Sequence, residues 1–403
     1  MTTQTIEYLP PASEGNAWTQ TRALLLDAYR DLQSRKLFWL SLVLSLLVAA
    51  IFAGVGLTPG GITIFGKLFP GAYNSLLIPP GEFFKFLFTT LAIPIWLGLL
   101  ANMLALVSAA GVFPDAISSG SIDLYLSRPI GRLRLFLTKY LFALLFTAIQ
   151  VLLFSTASFI VIGLRGGLWE FRIFLAVPLV TLYFSYLFCV CVLIGILTRS
   201  ALASILLTVL FWGSLYVIHT TDLVLTRFAT AADMRVEQMH RLVESNDALI
   251  RANDALPEDR RGNMSAFESQ RDNQKQLLGG YEEVAASLEW WHNLVLGIKT
   301  PLPKTNETVS LMSRWLVRPG VFAAAQQEER ALNDIRRARR GMPPRPTTRD
   351  GKNLDQFMSS DEVDQSVAND MRERSVYWVV GTSVGFEVVV LALAAWVFCR
   401  RDY

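Results

Sequence analysis

The sequence predicts an all-α polytopic membrane protein: six transmembrane helices, an N-terminal amphipathic interfacial helix and a helical extracytoplasmic domain between helices five and six. Three observations predict it. Apolar runs of roughly 20 residues recur along the chain, and at ~1.5 Å per residue each matches a hydrocarbon layer ~30 Å thick. Hydrophobic residues make up 52% of the 403 residues and charged ones only 18%, below the ~25% of soluble domains. Most of that charge is crowded into residues 220–375. The rest of the chain has too little polar surface to cover a water-soluble core.

Taken in order, residues 1–36 read as a cytoplasmic leader and amphipathic helix. The first 17 lack the basic stretch and apolar core of a cleavable signal. From 18 to 36, Trp18, Leu25, Tyr29 and Leu32 share one helical face, while Arg22, Asp27, Arg30 and Asp31 lie elsewhere. Residues 37–219 hold helices one to five, at about Leu37–Leu57, Phe83–Val107, Leu135–Leu164, Phe171–Leu197 and Ala201–Ile218. A loop rich in Gly and Pro follows the first. Pro94 and Pro178 fall inside spans, where neighbouring helices can re-satisfy the freed carbonyls. Residues 376–403 supply the sixth helix, Val376–Phe398, and a tail.

Segment 220–375 reads as a helical domain. One helix covers 222–256, with Val236, Met239, Val243 and Ile250 on a stripe. A second covers 264–291, with Leu277, Tyr281, Val284, Leu288 and Trp291 aligned, and the pair turns near LPEDRRGN. A third covers Ala323–Arg340, and GMPPRPTTRDGKN after it reads as a polar loop.

Basic residues set the orientation. Arg22, Arg30, Arg35 and Lys36 precede the first span; Arg128, Arg132, Arg134 and Lys139 surround the 2–3 loop. Arg199, Arg400 and Arg401 lie on the same side, and only Lys67, Arg165 and Arg172 on the other. This asymmetry places both termini and the 2–3 loop in the cytoplasm, and 220–375 outside.

The net charge of +3 gives no argument for nucleic acid, and Cys189, Cys191 and Cys399 form neither a disulfide framework nor a zinc spacing. The stretch GITIFGK at 61–67 has phosphate-loop spacing, but Leu68 stands where the magnesium-binding Ser or Thr belongs. The chain therefore carries no nucleotide-hydrolysing loop there. His219, His240 and His292 read as scattered surface histidines, and no catalytic arrangement stands out. Lys85 sits close enough to a span end to snorkel. Glu387 and Asn102 lie within spans, where a polar group faces either a translocation path or a helix seam.

Between the second and third spans lies GSIDLYLSRPIGRLRLFLTKY, residues 120–140. Pro114 can open a short helix, Arg128 before Pro129 is turned away from helix, and Pro129 opens the next helix. Segment 114–134 is thus a helix, a bend and a helix at the cytoplasmic face. A mere topology signal would need only its charges. The run Gly120-Ser-Ile-Asp-Leu-Tyr-Leu-Ser-Arg-Pro-Ile-Gly-Arg132, with Lys139-Tyr140 and the closing Trp396-Val-Phe-Cys-Arg-Arg-Asp-Tyr403, resembles ABC-2 type transporter permeases. It is nearest the branch of multicopper-enzyme and nitrous oxide reductase maturation. The resemblance covers 18–219 and 376–403; DAISSG before the signature departs from the acidic run of many members.

The resemblance implies a permease subunit coupling a separate ATPase to export across the bacterial cytoplasmic membrane. Gly120, Asp123, Leu126, Ser127, Arg128, Pro129 and Arg132 would contact that ATPase, which would bind ATP and Mg in this chain's stead. It also implies a homodimer or a paired permease, with membrane lipids around it. A periplasmic partner could engage 220–375. The alternative is a mechanotransmitter that drives an outside partner without moving solute.

Overall fold

The computed structural model describes residues 36–71, 73–118, 131–318, 320, 323–340 and 360–400. Helix makes up 83% of it, so the small sheet described below is a local insertion. Among the described residues, five helices are long and apolar enough to cross a membrane, and a sixth apolar stretch, Trp39–Ala53, is shorter. The leader and amphipathic helix expected at 1–36 lie outside the described residues but for Lys36, as does the loop at 341–353. The chain divides into two compact units. The first takes the described residues up to Leu210, with 308–322 and the chain from Glu387; the second takes 211–307 and 323–386.

In the first unit, α1 is Lys36–Ala53. The expected span to Leu57 stops short, because Val55–Thr58 leaves the helix as strand β1. β1 pairs antiparallel with β2 (Gly61–Ile64), and β2 with β3 (Lys67–Pro70). The sequence reading assigned no strands here. The reason is local: Phe65 (φ 49°) and Gly66 (φ 82°) form a two-residue turn with both φ positive, which suits the right-handed twist of paired strands. The Gly-Lys spacing of 61–67 is thus the spacing of a hairpin.

Helix α2 runs Pro80–Ala109, with Pro in its first turn, where no N–H is needed. From Phe88 to Ala101 its turns widen to π geometry around Pro94, which has no N–H to complete the regular ladder. Next come α3 (Pro114–Ser118), α4 (Arg132–Gly166) and α5 (Phe171–Thr198). α4 buries Phe136, Tyr140, Phe146 and Phe154 and exposes Leu137, Leu141, Leu145 and Leu152. Such a helix is apolar all round because one face meets protein and the other suits lipid. Phe88 stacks on Phe154 at 6.2 Å, and Phe52 meets Phe84 edge-on at 5.6 Å.

Helix α6, Ala201–Asp254, is 54 residues long and continues from the first unit into the second. The separate fifth span and outer helix expected from sequence are one helix, since His219-Thr220-Thr221 contains no breaker. The turn after it is closed by Asn253, which accepts from the Gly262 N–H at 2.7 Å and donates to the Gly262 carbonyl at 3.2 Å. α7 (Ser265–Lys299) returns along α6, followed by α8 (Thr305–Leu316), α9 (Ala323–Arg339), α10 (Ser360–Glu373) and α11 (Val376–Arg400).

The α6–α7 seam corrects one expectation. On α6, Val243 and Ile250 are buried as the stripe predicts. On α7, Leu277, Val284 and Trp291 are exposed, and the buried line runs through Gln274, Leu278 and Lys299. Polar residues occupy the seam because they pair across it: Asn246 Nδ2 donates to Gln274 Oε1 at 2.9 Å. A hydropathy stripe selects the other face.

The meander gives a local test. Gly61 has φ 137°, and a Cβ there would lie 2.2 Å from the Phe69 carbonyl oxygen. Gly61→Ala should cost about 1–3 kcal/mol locally and accelerate hydrogen exchange of the 55–70 amides, leaving α4 and α5 protection unchanged.

Candidate functional site

Segment 114–134 is the place to begin. Gly120, Asp123, Leu126, Ser127, Arg128 and Pro129 lie outside the described residues. The two roots of the segment are described. Phe113, just ahead of α3, meets Phe136 of α4 at 5.2 Å and Phe398 of α11 at 6.0 Å; Phe136 and Phe398 are 5.7 Å apart. All three are buried. Pro114 lies against Gly195 of α5, where an added Cβ would meet its Cγ at 3.1 Å. Arg132 opens α4, and its Nη1 donates to the Cys399 carbonyl at 3.1 Å. Carbonyls of a helix's last turn lack partners within the helix, so a cation suits them. The segment thus leaves and re-enters one aromatic cluster shared by α4, α11 and the stretch before α3.

Glu387 sits inside α11 and is buried. The Tyr140 hydroxyl donates to its Oε1 at 2.9 Å, and the Ser185 hydroxyl to its Oε2 at 2.9 Å. Each hydroxyl has a second acceptor nearby, the Ser185 carbonyl for Tyr140 and the Leu182 carbonyl for Ser185. Tyr140 stacks on Phe188 at 5.3 Å, walling the group on the α5 side. Three helices therefore meet on one carboxylate, which is the geometry of a seam. Asn102, in α2, is buried, and its amide atoms have no hydrogen-bond partner among the described residues. It does not join Glu387.

Lys85 is 2% exposed and does not snorkel. Its Nζ lies 2.8 Å from Glu82, one turn back, and 3.7 Å from Glu170, which follows α4. A buried pair satisfies the ammonium where sequence position alone suggested solvent.

The second unit holds a cluster that sequence reasoning missed. Asp222 on α6 is fully buried; Lys299 Nζ reaches its Oδ2 at 2.7 Å and Arg374 Nη1 reaches the same oxygen at 2.9 Å. Lys299 also bonds Glu307 on α8, and Arg374 lies 3.9 Å from that carboxylate. His219 Nδ1 stands 3.3 Å from Glu307, and His292 Nε2 stands 3.4 Å from Asp222. Two of the three histidines read as scattered surface groups are therefore half-buried cluster members; His240 is exposed and pairs with Glu282 at 3.1 Å. The available signal was the placement of His219 and Asp222 three residues apart, just past an apolar run.

Burial opposes ionisation of Glu307. The hydrogen bond with His219 and the charges of Lys299 and His219 outweigh it and hold the carboxyl down to about 2. Burial pushes Lys304 down to about 8, against the pull of Glu307. Its ammonium donates to the Thr300 carbonyl at 2.9 Å and Thr382 Oγ1 at 2.6 Å, and lies 4.2 Å over the Trp378 ring. The arrangement is a clamp of charge pairs, with the Thr226 hydroxyl 3.1 Å from His292 Nε2 beside it.

Comparisons with family models, curated proteins and solved structures find no match to this chain.

If Glu387 and Tyr140 act as one unit, their replacements must not add. Glu387→Leu and Tyr140→Phe should each lower the unfolding midpoint in detergent, and the double variant should recover about 0.5–3 kcal/mol of the sum. For Glu307 the folded value lies below the ordinary one. Its contribution is therefore complete above about 4.5 and is lost as pH falls toward about 2. Wild type should lose on the order of 1–3 kcal/mol between pH 5 and pH 3 beyond what Glu307→Gln loses, read by thermal unfolding.

Proposed function

We propose that the chain is the membrane subunit of an ABC-2 type exporter, powered by a separate ATPase that binds ATP and Mg. The observation that carries this reading is the 120–132 signature, set between two roots packed into one buried aromatic cluster. A displacement of the segment would pass into α4 and α11 through Phe136, Phe398 and Arg132, since a close-packed cluster transmits strain that a loose loop would absorb. In this reading Trp39–Ala53 is the first of six spans. Both termini and segment 114–134 face the cytoplasm of a bacterial cell, and residues 220–375 face outward. Glu387 belongs to a helix seam that moves with α11.

A second reading, mechanical transmission to a partner outside the membrane, is favoured by α6. Its 54 residues make a rod of about 80 Å, with no break where the apolar stretch ends. A rod of this kind would carry motion outward without a solute path.

The experiment pairs accessibility with coupling. Arg128→Cys should react with a membrane-impermeant maleimide only after cells are opened. Replacing Arg128 and Pro129 by Ala should leave membrane insertion and yield unchanged. It should also abolish the change in ATPase rate that this chain causes in an ATPase co-expressed from a neighbouring gene. Labelling of intact cells, or full coupling in the double variant, defeats the proposal. ATPase stimulation by a trapped solute supports export; stimulation only by an outside protein supports the mechanical reading.

A further inference from the structure

The β-meander between α1 and α2 turns its most apolar end back toward α1. Phe65, in the β2–β3 turn, donates its N–H to the Gly54 carbonyl at 2.9 Å, and a Cβ added at Gly54 would lie 2.5 Å from its ring. This turn therefore sits at the level where α1 ends, and the Thr58–Gly61 turn points the other way. Strand register sets Val55, Ile64 and Lys67 in one row at that level. Arg165, at the end of α4, donates to the Val55 carbonyl at 3.1 Å. Ile64, Phe65, Leu68 and Phe69 are 42–68% exposed. The α4–α5 connection adds Trp169 and Phe171, each 5.1 Å from Phe159 of α4 and more than half exposed. Lys67, Arg165 and Arg172 are the minority of basic residues on this side of the spans, and all three stand beside these exposed apolar groups.

We infer that the 64–69 end of the meander is an interfacial anchor: its apolar side chains enter the acyl boundary of one leaflet, and Lys67 with Arg165 meets the phosphates of the lipid headgroups. The depth follows from α1. Its 18 residues span about 27 Å, close to the ~30 Å of a hydrocarbon layer. No charged residue stands between Lys36 and Lys67. With Lys36 at one boundary, Gly54 and the folded-back turn come to the other, the depth that suits aromatic rings and snorkelling cations. A three-stranded sheet keeps unpaired groups along its edges, so the hydrocarbon itself is closed to it; the headgroup layer, which holds water, is not. A second copy is the wrong occupant. The connection from 54 to 81 holds no acidic residue, so a face paired with itself would set Lys67 against like charge. Headgroup phosphates supply the missing anion. The anchor needs neither an ATPase nor a transported solute.

The test is depth-resolved spin labelling of the full chain in vesicles of phosphatidylcholine with phosphatidylglycerol. Nitroxides are attached at Phe65→Cys, at Leu68→Cys and, on the opposite turn, at Pro59→Cys. The background carries Cys399→Ser, and Cys189 and Cys191 are buried in α5. Oxygen concentrates in the acyl layer and a nickel chelate in water. The ratio of oxygen to chelate collision rates at 65 and 68 should exceed that at 59 several-fold. Equal ratios at all three positions would mean a turn standing in water, and labels at 65 and 68 shielded from both reagents would mean a protein cover; either overturns the inference. As a second arm, Lys67→Glu should lower the ratio at 65, and more so with phosphatidylglycerol than in phosphatidylcholine alone. A ratio unmoved by this substitution, or lowered equally in both lipids, would also overturn it. None of these readouts requires an ATPase, so failure of the anchor and failure of the export reading are told apart.

Discussion

A charge or strong dipole placed in an apolar interior must find a partner, and this requirement organises both units. In the first, a carboxylate in the middle of α11 draws a tyrosine from α4 and a serine from α5. In the second, Asp222 and Glu307 collect Lys299 and Arg374. Apolar packing supplies most of the stabilisation in either unit, but it is tolerant of sliding and rotation. A carboxylate held by two donors is not, since a shift of one helix leaves buried groups unsatisfied. Polar contacts therefore fix the relative register of helices whose greasy faces leave it open.

The same logic holds at the two described ends of segment 114–134. Arg132 bridges the start of α4 to the end of α11, and three phenylalanines fill the space beside it. The Glu387 group lies farther along α4 and α11, so the two helices are tied at two heights. A pair of helices joined twice is fixed in both register and rotation.

Much of the fold was legible in the sequence for a simple reason: bilayer thickness sets a minimum length for an apolar run that crosses it. The structure gives Arg132–Gly166 against an expected Leu135–Leu164, and Phe171–Thr198 against Phe171–Leu197. Failures came where hydropathy is a poor guide. The turn at Phe65–Gly66 depends on backbone sterics, so a loop was expected where a meander forms. The α7 stripe was placed on Leu277, Val284 and Trp291 because polar Gln274 and His292 looked like solvent groups. Lys85 was assigned to water because it lies close to a span end.

The sequence by itself determined the apolar stretches, the ABC-2-like signature and the crowding of charge into one segment. These are local properties, set by residue type and spacing along a few turns. Only the tertiary structure decided which polar residues meet. Tyr140, Ser185 and Glu387 are separated by up to 247 residues, and Asp222 and Arg374 by 152. Nothing in a helical period records such a pairing, because it arises from how whole helices are turned toward one another. The same rotation decided which stripe of the hairpin is buried and which is left facing outward.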